Sequence, residues 1–219
     1  MNFDIGGNPE FGDLEIELAP GETFWAESGA MSRMSGDLSV SSRLLGGFVP
    51  AAVRKVLGGE SLFVAEYKAG GGGGKVACSP KLPGTVLHRR LDGDSFYLTG
   101  GSFLACSPGV QLETRFGGLK AFFSKEGAFF IECKGHGDVF YNSYGAVVER
   151  EVSGSLIVDN GHLVAWEPSL DYEITSVGGV KQTLFSGEGL VMRFSGQGKL
   201  LLQSRHLGGM VNWLLPYCK

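Results

Sequence analysis

A glycine run at residues 70–74, followed by Lys75, holds the residues of this chain that could do phosphate chemistry. A phosphate-binding loop needs a glycine where Ala69 stands, a Ser or Thr to hold magnesium where Val76 stands, and a helix after the lysine. The segment after Lys75 has the pattern of a strand instead. We therefore interpret the run as a flexible hairpin loop rather than a phosphate site.

Histidine and cysteine are the other residue types that could supply a base, a nucleophile or a metal ligand. The histidines form no HxH or HExxH pair, and we interpret them as surface or partly buried structural residues: His88, His136, His162 and His206. The tripeptide Cys-Ser-Pro begins at Cys78 and Cys106 without a base nearby, which favours a role in turns. With Cys133 and Cys218, the cysteines lack metal-site spacing and indicate mostly buried free thiols in a reducing compartment.

Three glutamates, Glu60, Glu126 and Glu188, each open an apolar segment that follows a glycine pair. Each carboxylate could accept backbone N–H bonds at the glycine turn before it. Alternatively, a threefold arrangement could bring the three together as a cation site. We favour the first interpretation, because single carboxylates separated by whole repeat units seldom converge. The sequence therefore assigns no catalytic, cofactor-binding or metal-binding residue.

The glutamates belong to a longer unit of sequence that occurs three times. Its anchors are Gly29, Gly101 and Gly161, and nine residues after each begins an alternating apolar and polar segment: LSVSSR, VQLETRF and LDYEIT. Five residues before each anchor stands a bulky apolar residue: Phe24, Phe96 and Leu156. An ungapped register of this length rarely arises by chance. We place the repeats at residues 12–80, 84–144 and 145–205, with a C-terminal apolar tail at 206–219.

Short alternating strands separated by glycine turns predict an all-β fold in which each strand has one core face and one wet face. After the alternating strand of each repeat we expect an apolar strand, a glycine turn and a last strand. One repeat cannot cover both edges of its own sheet, so the copies should pack together in a closed pseudo-threefold arrangement. Two helices are expected, at residues 49–58 and in the tail, where Leu207, Met210, Val211 and Leu214 recur at helical spacing.

Composition and charge restrict the class of function. Glycine accounts for 36 of the 219 residues, more than twice the usual share of about 7%, as frequent chain reversals require. The net charge of −4 argues against a wide phosphate-binding face, so we expect no nucleic-acid partner. The sequence has no secretory signal and no apolar run of the roughly 18 residues needed to span a bilayer. We therefore expect a cytoplasmic protein without stable membrane insertion.

Five segments covering nearly the whole chain carry a resemblance to a known family: LEIELAPGETFWAESGAM, GESLFVAEY, GSFLACSPGVQLETRFGGLK, GHLVAWEPSLDYEITSVGGVK and GEGLVMRFSGQGKLLLQSR. They resemble the family named after altered inheritance of mitochondria protein 24, whose bacterial members are domains of unknown function. The resemblance implies a fold similar to the tryptophan RNA-binding attenuation protein (TRAP), a short double-stranded β-helix type that assembles into rings. Mitochondrial relatives are implicated in organising the inner membrane. The resemblance implies no catalytic residues.

The leading hypothesis is a non-enzymatic, self-assembling scaffold or interaction protein built from TRAP-like, β-sandwich or double-stranded β-helix repeats. We expect a homo-oligomer, in particular a trimer, because the unpaired outer strands of a monomer would be prone to aggregation. A protein partner is compatible with this hypothesis, and no cofactor is implied. The alternative is a small-ligand binding module with a pocket between repeats or subunits. An RNA-binding ring is a weaker alternative because of the acidic composition. We expect the tail to dock within the protein or its assembly rather than on a membrane.

Overall fold

The computed structural model describes residues 1–44, 63–116, 129–176 and 190–218, and most of these residues lie in β-strands. The all-β fold expected from the alternating pattern is therefore confirmed. The strands are, in chain order, β1 (Asn2–Gly6), β2 (Asp13–Leu18), β3 (Thr23–Glu27), β4 (Met31–Leu44), β5 (Phe63–Cys78), β6 (Val86–Thr99), β7 (Phe103–Cys106), β8 (Val110–Phe116), β9 (Phe129–Asn142), β10 (Val147–Asp159), β11 (Leu163–Trp166), β12 (Leu170–Ser176) and β13 (Leu190–Gln203).

The thirteen strands of the described residues all belong to one large sheet of antiparallel pairs. The hydrogen-bonded order is β1-β2-β5-β3-β7-β9-β6-β11-β13-β10, with β4 also on β5, β8 on β9 and β12 on β13. This order begins at β1 and ends at β10 without returning to its start. The described strands of one chain thus form an open sheet rather than the closed arrangement expected from the sequence.

Three long strands, β5, β9 and β13, organise the sheet. Each pairs with the three strands that precede it. β5 pairs with β2, β3 and β4; β9 pairs with β6, β7 and β8; and β13 pairs with β10, β11 and β12. The sequence predicted two strands separated by a glycine turn where each long strand runs continuously. That prediction is wrong because the chain passes through the glycines without reversing.

The glycine run at residues 70–74 shows why the strand continues. It lies inside β5, and the register between β4 and β5 shifts between Gly36 and Leu38, opposite the run. A Cβ atom added at Gly36 would come within 2.6 Å of the Gly74 Cα atom, so the two backbones approach too closely for side chains. The run is therefore a bulge within a paired strand, and its interpretation as a hairpin loop is wrong.

The core follows the alternation of the strands and joins consecutive groups of strands. In β2, Leu14, Ile16 and Leu18 are buried, whereas Glu15 and Glu17 are not. The core cluster that contains these three buried residues also contains Leu104 and Ala105 of β7. The next core cluster contains Val164 and Ala165 of β11. Each group of strands therefore buries part of its apolar surface against the group that follows.

The C-terminal tail forms the predicted helix, α1 (Leu207–Leu214), and Pro216 lies in the 3-10 turn that follows it. The His206 side chain caps the helix by accepting the Gly209 N–H at 3.2 Å. Of the helices in the described ranges, none is both long enough and apolar enough to cross a membrane. The helix predicted at residues 49–58 and the three glycine pairs lie outside the described residues.

Candidate functional site

Some of the residues with candidate chemical roles make structural contacts, and others lie outside the residues that the structure describes. Glu60, Glu126 and Glu188 lie outside the described residues, so the cation-site alternative has no geometry to support it. The glycine run before Lys75 continues into a strand, not a helix, which removes the anion-binding helix terminus that a phosphate loop needs. No group of three or more potential metal ligands occurs in the parts of the chain that the structure describes.

The histidines make structural contacts, as the sequence analysis expected. His88 binds Asp138 at 2.9 Å and stacks on Phe140, and exposed His136 lies 3.2 Å from Asp92. His162 Nδ1 lies 2.7 Å from the Gln203 carbonyl oxygen. Since that carbonyl can only accept, His162 donates from Nδ1. A histidine engaged in this way holds the backbone or an ion pair, and we assign none of the four to catalysis.

Three cysteine side chains are sealed in the core. Cys78, Cys106 and Cys133 are fully buried, and burial raises the pKa of the Cys78 thiol to about 12 and those of the other two well above their usual range. Because the thiolate is the nucleophilic form, these groups are inert at neutral pH. Cys218 is exposed. The prediction of mostly buried free thiols is confirmed.

The serines of the two Cys-Ser-Pro tripeptides also have structural partners. The Ser79 hydroxyl donates to Asp13 Oδ1 at 2.6 Å, which ties the end of β5 to β2. The Ser107 hydroxyl accepts the Asp138 backbone N–H at 2.8 Å, which ties the β7–β8 connection to β9. Neither serine has a histidine as its hydrogen-bond partner, so the arrangement gives no activated nucleophile.

A cluster of an aromatic, an arginine and a glutamate side chain and a second arginine–glutamate pair form across neighbouring strands, and neither was expected from the sequence. In the first, Trp25 Nε1 donates to Glu66 at 2.8 Å, and the Arg43 guanidinium lies 4.9 Å from the indole ring and 3.3 Å from Glu66. In the second, Arg115 binds Glu132 at 2.8 Å, which raises the pKa of Arg115. The members of the cluster come from three strands and those of the pair from two, so no local motif could have revealed them.

Trp25 also belongs to a junction between groups of strands, and this junction is built twice. β3 pairs with β7 through Trp25 opposite Cys106 and Ala26 opposite Ala105. β6 pairs with β11 through Tyr97 opposite Trp166 and Leu98 opposite Ala165. Trp25 and Tyr97 each stand four residues before an anchor glycine, and Cys106 and Trp166 each stand five residues after one. The two junctions therefore use the same positions in the same register.

The third pair of these positions has no partners among the residues that the structure describes. Four residues before Gly161 stands Ile157 on β10, and five residues after Gly29 stands Met34 on β4. Ile157 is 51% exposed and Met34 is 46% exposed, whereas Cys106 and Trp166 are buried. Within the described ranges, β4 pairs only with β5, and β10 pairs only with β13. We call these segments of β4 and β10 the two bare edges.

The burial of β4 contrasts with that of the strands that occupy its position elsewhere. All four residues of β7 and all four of β11 are buried, because a strand from the preceding group covers their outer edge. In β4 the corresponding residues are exposed, and Met31 at its start is 43% exposed where Phe103 and Leu163 are buried. Exposed, unpaired strand edges with apolar side chains are places where further chains add.

A cavity of about 430 Å³ lies on the first group of strands. Its lining includes Met1, Glu22, Ser35, Gly73 and Lys75. The Met1 ammonium group is hydrogen-bonded to Glu22, which lowers the pKa of that carboxyl. Ser35 follows Met34 directly, so the cavity borders the bare edge of β4.

Comparisons with known proteins place this architecture in a family. The family model described as mitochondrial biogenesis AIM24 matches residues 3–205. An uncharacterized protein of Streptococcus pyogenes serotype M6 is 30% identical over 99% of this chain and 91% of its own length. A Streptococcus pyogenes protein of known crystal structure superposes with a TM-score of 0.81 and 28% identity over 99% of both chains. This chain therefore belongs to the mitochondrial biogenesis AIM24 family.

Proposed function

We propose that this protein is a non-enzymatic scaffold that assembles from copies of itself, joined head to tail through the two bare edges. Each chain supplies three TRAP-like repeats, at residues 12–80, 84–144 and 145–205. The described strands of one chain do not close into a ring, so the ring closes through contacts between chains. We propose that the assembly is a homotrimer and that it is located in the cytoplasm. A heterologous interface of this kind closes into a ring when its rotation permits.

The observation that carries this proposal is the repetition of one junction at two places in the chain. A third junction in the same register would set Ile157 opposite Met34 of a second copy and Val158 opposite Arg33 of that copy. It would pair two apolar side chains that are now about half exposed and would hydrogen-bond two unpaired strand segments. Burial of apolar surface and formation of backbone bonds both favour association.

The junction between copies would be more polar than the two within the chain. Arg33 stands where the internal junctions have Ala105 and Ala165, and it is ion-paired with Asp13 at 2.8 Å and with Glu15 at 3.0 Å. These pairs are exposed and contribute little to stability. A polar rim around an apolar contact is typical of interfaces between separately folded chains.

Light scattering on a sizing column tests this proposal. We expect a mass near three times 23.3 kDa for the native chain, and a single-chain mass for Ile157→Lys and for Met34→Lys, because a lysine on a bare edge opposes strand addition. Phe11→Lys is the matched control, since Phe11 is exposed but lies in the β1–β2 connection. A native chain that elutes as a monomer at micromolar concentration would overturn the proposal.

The cavity beside β4 supports a second candidate, a small-ligand binding module. The cavity offers backbone groups of a glycine run, one cationic side chain and two carboxylates, and a second copy at the β4 edge would partly enclose it. A site of this kind suits a small zwitterionic or polar molecule. Native mass spectrometry of the protein purified from its own cells tests this candidate: a small molecule that stays bound and is lost in Gly73→Ala would favour it over a pure scaffold.

A further inference from the structure

The helix α1 and the 3-10 turn after it, Leu215–Tyr217, present apolar surface that the rest of the described chain does not cover. Neither segment has a buried residue. Trp213 is 67% exposed, and more than half of the Leu207, Leu215 and Tyr217 surface is also exposed. From His206 to Cys218 the sequence has no Asp, Glu, Lys or Arg. Such a surface on a protein that stays in solution marks a binding site.

The contacts at its start fix where this apolar segment lies. The His206 ring packs against Gly161, where a Cβ atom would come within 3.0 Å of His206 Nδ1, and its centroid lies 4.8 Å from that of the His162 ring. The Tyr144 hydroxyl contacts Met210 Sδ at 3.0 Å. Gly161 lies in the 3-10 turn Asn160–His162, which directly follows the bare edge of β10. The helix therefore begins beside the proposed junction between copies.

The corresponding turn within the chain already contacts the group of strands that follows. Thr99, just before the turn Gly100–Ser102, donates from its hydroxyl to the Leu163 carbonyl at 3.1 Å, at the start of β11. Asp159 holds the position of Thr99 relative to the anchor glycine, and Met31 holds that of Leu163. In a junction of the same register, the turn beside α1 would lie against the start of β4 in a second copy.

We propose that α1 and the turn after it dock on a second copy of this chain, at the start of that copy's β4, around Met31. The inference rests on the proposed self-assembly and adds a second contact to the strand pairing. We call α1 and the turn after it the strap, because they would cross the junction between two copies. Two observations favour a second copy over a lipid surface. The tail after Arg205 has one formally cationic side chain, Lys219, which gives little attraction to anionic lipid, and an exposed apolar residue, Met31, lies where the strap would reach.

The exposed thiol of Cys218 allows a test on the unaltered chain, because the other three cysteines are buried. A thiol-directed photo-cross-linker attached to Cys218 should join different copies, and mass spectrometry of mixed light and heavy protein identifies such products. We expect the attachment points to fall at residues 28–34 of the second copy. Cross-links confined to one copy, in a sample that is oligomeric, would overturn the strap and leave the edge pairing intact.

Substitution of Trp213 gives the second readout. Interface tryptophans often dominate binding, so we expect Trp213→Glu to weaken self-association by about tenfold or more, with the melting temperature of the dissociated chain unchanged. Phe11→Glu, at a similarly exposed aromatic residue, should leave the association unchanged. If the Trp213→Glu variant self-associates as tightly as the native chain but no longer binds vesicles of anionic lipid, the helix contacts a membrane and the proposed docking on a second copy is wrong. A native chain that never self-associates would instead contradict the proposed function.

Discussion

At the scale of single residues, three of the four cysteines lie where their surroundings prevent them from reacting. The thiols of Cys78, Cys106 and Cys133 are buried among apolar groups, and this raises their pKa values above the range in which a thiolate forms at neutral pH. The sequence predicted this because no partner residue stood at a useful spacing. The cluster of Trp25, Arg43 and Glu66 could not be predicted, since its members are brought together only by strand pairing.

Thiol titration tests this description of the cysteines. We expect one thiol per chain to react rapidly with a disulfide reagent at pH 7.5, namely that of Cys218, and the other three to react only after unfolding. Cys218→Ser should then show no rapid reaction in the native state. Rapid labelling of two or more thiols in native Cys218→Ser would show that the core is more open than described.

At the scale of elements, the sequence predicted where strands lie but not how far each one continues. The alternating segments that begin at Leu38, Val110 and Leu170 all lie in strands, β4, β8 and β12, because alternation reflects a face buried on one side. The strands β5, β9 and β13 were each predicted as two because glycine marks turns and bulges alike. Whether a glycine forms a turn or a bulge depends on the strand that pairs with it, and the sequence alone does not show which strand that is.

Two glycines of one run distinguish the bulge from a flexible loop. Gly73 has a φ of +65°, and a Cβ atom there would come within 2.8 Å of the Leu18 carbonyl oxygen, whereas Gly71 has open space around it. We expect Gly73→Ala to lower the free energy of unfolding by about 1–3 kcal/mol and Gly71→Ala to change it little. Denaturant titration measures both. Equal small effects would indicate that the run is a loop after all.

At the scale of the whole molecule, one repeated junction joins the three groups of strands, and the third set of junction positions has no partners in the described parts of the chain. The sequence predicted a repeated unit from the register of the anchor glycines. It could not reveal which edges stay bare, since Met31 and Met34 fit the same apolar pattern as Phe103 and Cys106. Their exposure depends on whether a neighbouring strand is present, which is a property of the sheet and not of the segment.

The overall charge makes a further prediction at this scale. The net charge of −4 opposes the approach of a phosphate backbone. We expect no binding of single-stranded RNA in fluorescence anisotropy at about 0.15 M salt. Binding below micromolar concentration under those conditions would favour the RNA-binding alternative over the scaffold.

The central claim is that copies join in the register of the internal junctions, and disulfide trapping tests it most directly. Residues directly opposite each other in an antiparallel pair have Cα atoms about 4.5–5.5 Å apart, within reach of a disulfide. The variant carries Met34→Cys and Ile157→Cys, with Cys218→Ser to remove the exposed thiol. The control moves the second cysteine four residues along β10, as Ser153→Cys with Met34→Cys and Cys218→Ser. We predict that mild oxidation links the first variant into covalent species ending at three chains, while the control stays monomeric on a non-reducing gel. A first variant that stays monomeric, or a control that cross-links equally well, would contradict the account.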